Sequence, residues 1–166
     1  MTHQERERMN AATHEAAHAV VALSVGRRFR AIELFSDADA PGVVTADGTR
    51  ALSCGRIWPE DNLIRWEEIT DDILMRMAGP AATKRRTHES WLAILLFGSG
   101  KSDYESAVES ASDPYWCEDP KEYVWAFRPQ ATKLVKTHWD KITRVADALV
   151  ARGYLSYDEV QAIYAA

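Results

Sequence analysis

From Gln4 to Val25 the chain has neither proline nor glycine and is rich in Glu, Arg, Ala, Val and Leu. These residues favour the helix, and nothing in the stretch interrupts it. One long N-terminal helix is expected, closed by Gly26 as a C-terminal glycine cap. The rest of the chain also reads as mostly helical, with one small antiparallel sheet.

FRAIELF, Phe29 to Phe35, carries the aromatic and β-branched residues of a strand. The turn-forming SDADAPG and a second short strand, GVVTA, follow it. From Trp66 onward the pattern is helical again. Ile69, Ile73, Met77 and Ala81 recur every four residues along one face, and Pro80 is expected to end or kink that helix. Trp91 to Phe97 reads as a short buried helix broken by Gly98 to Gly100. A further helix runs from Ser102 to about Ala111. Asp113-Pro114 and Asp119-Pro120 mark loops or helix starts. After Pro129 one amphipathic helix carries Leu134, Val135, Ile142, Val145 and Leu149 to a stop at Gly153. A last helix starts at Ser156, where Ser-Tyr-Asp-Glu has capping-box spacing.

The chemistry sits in the first helix, at His14-Glu15-Ala16-Ala17-His18. Residues four apart share a helix face, so both imidazoles can reach one metal ion. Glu15, one position on, then stands beside the open coordination position. Zinc suits neutral imidazole nitrogen and tolerates a water in that position. Glu15 is therefore the candidate base for a water attacking a carbonyl. The flanking alanines are small enough to leave room for the ion.

Catalytic zinc usually takes a third protein ligand. The sequence offers the acidic run Glu67 to Asp72, which reads better as a solvated helix start, the separate histidines His88 and His138, and Asp103. Asp103 lies in GSGKSDYESA, whose GSGKS looks like a phosphate-binding loop. A true Walker A loop needs a glycine five positions before Gly100, and Leu95 stands there. No strand–helix alternation follows to build a nucleotide-binding sheet, so the ATP reading fails. Ser102-Asp103-Tyr104-Glu105 instead has the spacing of a capping box, with Ser102 as cap and Asp103 in the first turn. On that basis alone Asp103 only complements the helix dipole.

A net charge of −5 with scattered Lys and Arg argues against a nucleic-acid partner. Cys54 and Cys117 are too far apart for a CxxC metal pair and read as two free thiols in a reducing compartment. The N-terminus has no apolar signal segment, and the run Trp91 to Phe97 is too short to span a bilayer. A cytoplasmic protein without a membrane span is expected.

Several segments, in order, resemble the peptidase domain of the FtsH-type ATP-dependent zinc metalloproteases. HEAAHAVVALSVGRRFRAIELF resembles that family's His-Glu-Ala-Gly-His helix and the strand after it. PGVVTADG stands where the family has a Leu-Gly-Tyr-Thr-like strand. ILMRMAGPAATKR resembles its helix with Ala/Gly-Gly-Arg-Ala-Ala-Glu. GSGKSDYESAVESA resembles its Thr-Gly-Ala-Ser-Asn-Asp-Leu segment, and HWDKITRVADALVARGYLSYDEVQAI its C-terminal helices.

The resemblance implies a single zincin-like helical metallopeptidase domain over residues 1–166, with a zinc-site part (1–111) and a C-terminal helical part (112–166). It makes Asp103 the third Zn2+ ligand beside His14 and His18, and Glu15 the base. The strand at Gly42, Val43, Val44 and Thr45 would border the cleft and hold a peptide by main-chain pairing. Ala17 stands where the family has glycine, and Pro80 where it has arginine. Arg85 to Gly98 is longer and more apolar than in the family, and the segment after Ala111 is shorter. The 166 residues hold no transmembrane segment and no AAA ATPase module. The expected activity is therefore ATP-independent cleavage of peptides or unfolded chain, with an AAA unfoldase partner or a homo-oligomer as the assemblies the family suggests. The alternative is a non-catalytic zinc-binding adaptor or regulatory domain that associates with an AAA protease.

Overall fold

The computed structural model describes residues 1–35, 54–59, 69–112 and 117–166. Helix α1 spans His3–Ser24. It opens on a capping box: the Glu5 N–H donates to Thr2 Oγ1 (3.2 Å) and the Thr2 N–H to Glu5 Oε2 (2.7 Å). Its first turns are exposed, but every residue from Ala12 to Ala22 is buried. The second half of α1 is thus surrounded, which an alanine- and valine-rich segment permits and an amphipathic one would not. His14, Glu15 and His18 are carried into the core with it.

Strand β1 (Phe29–Phe35) follows the left-handed turn at Gly26, φ 75°. It pairs antiparallel with β2 (Cys54–Pro59) on one side and with β3 (Tyr154–Ser156) on the other, giving the order β2-β1-β3. The expected strand GVVTA lies outside the described residues. β3, three residues long and spliced between two helices, is too short for any alternation to announce it.

Helix α2 (Ile69–Thr87) buries Ile69, Ile73, Met77 and Ala81 as their spacing predicts. Each of the three larger side chains, Ile69, Ile73 and Met77, contributes about 1.5–3 kcal/mol when removed from water. Pro80 neither ends this helix nor marks its boundary. It leaves the Arg76 carbonyl without its usual N–H partner, yet α2 continues for nearly two more turns. The ring is buried within the core.

The Trp91–Phe97 segment is only half as buried as expected. A π-helical turn, Ala93–Phe97, buries Ile94 and Leu95 but leaves Leu96 and Phe97 exposed, as is Leu92 before it. Helix α3 (Lys101–Ser110) begins one residue earlier than expected, with Gly100 at its N-cap and no side-chain cap. The Ser102–Glu105 capping box does not form there, and Asp103 occupies the third helical position.

Asp119 does cap the next helix, α4 (Pro120–Ala126), by accepting from the Glu122 N–H at 2.9 Å. The single helix expected after Pro129 is two, α5 (Arg128–Thr137) and α6 (Trp139–Arg152), parted at His138. The break lets α5 pack on α2 and α6 on α1. Gly153, in the left-handed conformation at φ 77°, closes α6, and Ser156 caps α7 (Tyr157–Ala165) with the expected capping box. No helix among the described residues is long and apolar enough to cross a membrane.

Asp72 corrects the reading of the acidic run as solvated. Its carboxylate is buried, accepts from Arg76 Nε at 2.7 Å and from Ser110 Oγ at 3.1 Å, and lies 3.9 Å from Arg27 Nη1. It ties α2 to α3 and to the turn after α1, and is thereby committed to structure rather than to a metal. Glu67 and Glu68 lie outside the described residues. Asp72→Ala should lower the unfolding free energy by about 1–3 kcal/mol, since it leaves the half-buried Arg76 and Ser110 donors without their acceptor, while the metal content stays that of the wild type. Urea denaturation and metal analysis on the same preparation check both halves.

Candidate metal centre

His14 and His18 project from one face of α1, their rings edge to face with centroids 4.7 Å apart. Asp103 reaches them from the first turn of α3. Its Oδ2 lies 2.9 Å from His14 Nε2 and its Oδ1 3.5 Å from His18 Nε2. Among the described residues these three side chains offer ligand atoms within 4.8 Å of one another. The imidazoles are almost wholly buried, at 7% and 3% side-chain exposure, against 21% for Asp103. Access from solvent is therefore on the α3 side.

The far nitrogen of each ring is held by α2. His18 Nδ1 lies 2.7 Å from the Met75 carbonyl, and His14 Nδ1 lies 2.9 Å from Thr83 Oγ1. Both Nε2 atoms are thereby turned toward Asp103. Between Met75 and Thr83, α2 presents Gly79, where a Cβ would fall 2.4 Å from His18 Nε2 and 2.5 Å from His14 Nε2. The helix is bare at the one place where a side chain would fill the space in front of the ligand nitrogens. Two imidazoles and one carboxylate around such a space make a donor set that suits a zinc ion with an open position.

Burial disfavours charge on His18. The Asp103 carboxylate and its hydrogen bond, helped by Glu15 and the Met75 carbonyl, outweigh burial and lift the imidazole to about 9. Burial also opposes charge on Asp103, but His18 and His14 beside it hold its carboxyl far below the usual carboxylate range. A metal needs His18 without its Nε2 proton, so protons compete for the site through neutral pH. Uptake of a metal ion should release this proton at pH 7. Apparent affinity should fall about tenfold for each pH unit below about 8, a slope that calorimetry in buffers of different ionisation enthalpy reads directly.

The signs for the metal-free fold follow by linkage. The raised His18 value contributes stability that is complete below about 6.5 and lost as pH rises through about 9. The depressed Asp103 value contributes stability that is present above its ordinary range and lost in acid. The metal-free protein should be most stable in mildly acidic solution.

Of the other histidines, His88 is exposed just past the end of α2 at φ 63°, and His138 lies against Tyr164 with ring centroids 6.0 Å apart. Neither belongs to the centre. Glu15 is buried on α1 and acts electrostatically on His18. Gly42, Val43, Val44 and Thr45 lie outside the described residues. Cys117 is a free thiol, as expected.

Sequence reasoning missed Met75, Gly79 and Thr83. Only Gly79 left a trace, since a glycine inside a helical pattern often marks a close approach. No protein-family model matches this chain, and no curated protein matches it.

Proposed function

We propose that the chain is a zinc-dependent endopeptidase of the HExxH type that hydrolyses peptides or unfolded chain. The observation that carries this reading is the convergence of His14 Nε2, His18 Nε2 and an Asp103 carboxylate oxygen, with Glu15 in the same buried helical segment. His14, His18 and Asp103 would hold the metal. Bound zinc supplies a Lewis acid that acidifies water and polarises a carbonyl. Glu15 takes the proton of the water whose oxygen adds to the peptide carbonyl carbon. It then delivers that proton to the amide nitrogen as the C–N bond breaks.

The substrate class rests on the resemblance to the FtsH-type peptidases, as does the part given to Gly42–Thr45 in pairing with a peptide main chain. An AAA unfoldase partner, or assembly into a homo-oligomer, would extend the substrate range to folded proteins.

The test is elemental analysis of the purified protein followed by digestion of casein, with chelation and zinc restoration. One zinc per chain and cleavage that is lost and regained with the metal are expected. Protein that neither holds nor takes up zinc would overturn the centre. Stoichiometric zinc without cleavage of any unfolded substrate would overturn the peptidase and favour the adaptor alternative.

A further inference from the structure

Met75, Gly79 and Thr83 recur every four residues along α2 and lie against the two imidazoles. The outer two hold the rings by unlike chemistry. A backbone carbonyl only accepts, so Met75 keeps a proton on His18 Nδ1 and leaves Nε2 for a metal. A hydroxyl both accepts and donates, so Thr83 satisfies His14 Nδ1 with or without a proton there. On the other side, Asp103 Oδ2 is an acceptor 2.9 Å from His14 Nε2 and draws a proton to that nitrogen. The His14 ring is poised between two tautomers, only one of which can bind a metal.

We propose that Thr83 is the positioning residue that resolves this choice. By accepting from Nδ1–H, its Oγ1 stabilises the tautomer whose Nε2 lone pair is free, and it fixes the ring beside the space left by Gly79. Thr83 is itself buried at 9% exposure, so solvent is poorly placed to replace the hydroxyl. The inference rests on the metal centre, not on peptide hydrolysis.

Thr83→Val keeps the shape and removes the acceptor. A buried Nδ1–H would then have no partner, and the proton would move to Nε2, paired with Asp103. Zinc affinity by chelator competition should fall about 10–100-fold, and Thr83→Ser should return it to within about threefold of wild type. Long-range 1H–15N spectra of the metal-free proteins should show more of the Nε2–H form of His14 in Thr83→Val than in wild type. Far-ultraviolet circular dichroism confirms that each variant is folded.

Undiminished zinc affinity in Thr83→Val overturns the proposal. So does a loss that serine fails to restore, because packing alone would then account for it. A wild-type chain that takes up no zinc overturns both this inference and the proposed centre. Wild-type zinc binding with an unaffected valine variant overturns this inference alone.

Discussion

On the proposed peptidase reading, Glu15→Gln should take up zinc as the wild type does and lose peptide hydrolysis by about 10²–10⁴-fold, the range that a positioned acid–base group contributes. Glutamine has nearly the same volume and keeps an acceptor oxygen, so the packing of the second half of α1 is preserved. Glu15 is only 7% exposed, and burying a neutral amide costs less than burying a carboxylate. A cooperative melting transition in the variant would separate a catalytic defect from unfolding. Glu15 is one of the charges that raise His18, so its loss should also ease proton release there and modestly strengthen zinc binding near neutral pH. Elemental analysis, a melting curve and a casein assay on one preparation read all three effects. Cleavage at the wild-type rate would remove Glu15 from the mechanism.

The sequence disclosed most where one local rule acted alone. The long α1, the Ile69–Ala81 face, the helix start at Asp119-Pro120, the Ser156 cap and the Gly153 stop all follow from propensity, period or capping chemistry. It misled where packing overrode such a rule. Pro80 is expected to end or kink α2, yet the helix runs on past it with the ring buried, and a Cβ on Gly100 would fall 2.7 Å from Pro80 Cγ and 2.9 Å from Ile94 Cγ2. Gly100 is thus needed for close approach of the turn to α2, and that approach starts α3 at Lys101 and cancels the expected Ser102 cap.

The same approach brings Asp103 to the histidines. Nothing in the residues around Asp103 distinguishes it from any first-turn aspartate, and only the resemblance singled it out. The two histidines were legible because helical periodicity alone puts them together. The holders of the rings on α2 were not, because a main-chain carbonyl and a threonine hydroxyl acquire their roles only when two helices pack.

In the proposed zinc centre, Gly79→Ala should lower zinc affinity by about 100-fold or more, at the top of the range or beyond for groups that surround a metal site. The prediction runs against helix propensity, by which alanine improves on glycine by about 1 kcal/mol in a helix interior. Two effects reverse that gain. Residue 79 precedes a proline, where a Cβ is disfavoured in helical backbone. The new methyl would also lie 2.4–2.6 Å from His18 Nε2, His14 Nε2 and His18 Cε1. Neither ring can retreat without giving up its bond to Met75 or Thr83, so overpacking should cost about 1–3 kcal/mol of stability. Gly100→Ala is the informative comparison. Its methyl meets Pro80 and Ile94, pushing α3 and Asp103 outward while the histidines keep their places. With cobalt as a visible probe, Gly100→Ala should retain weakened binding through two imidazoles, and Gly79→Ala should show no cobalt–imidazole absorption. Wild-type zinc content in Gly79→Ala would mean that the metal does not occupy the space this glycine leaves open.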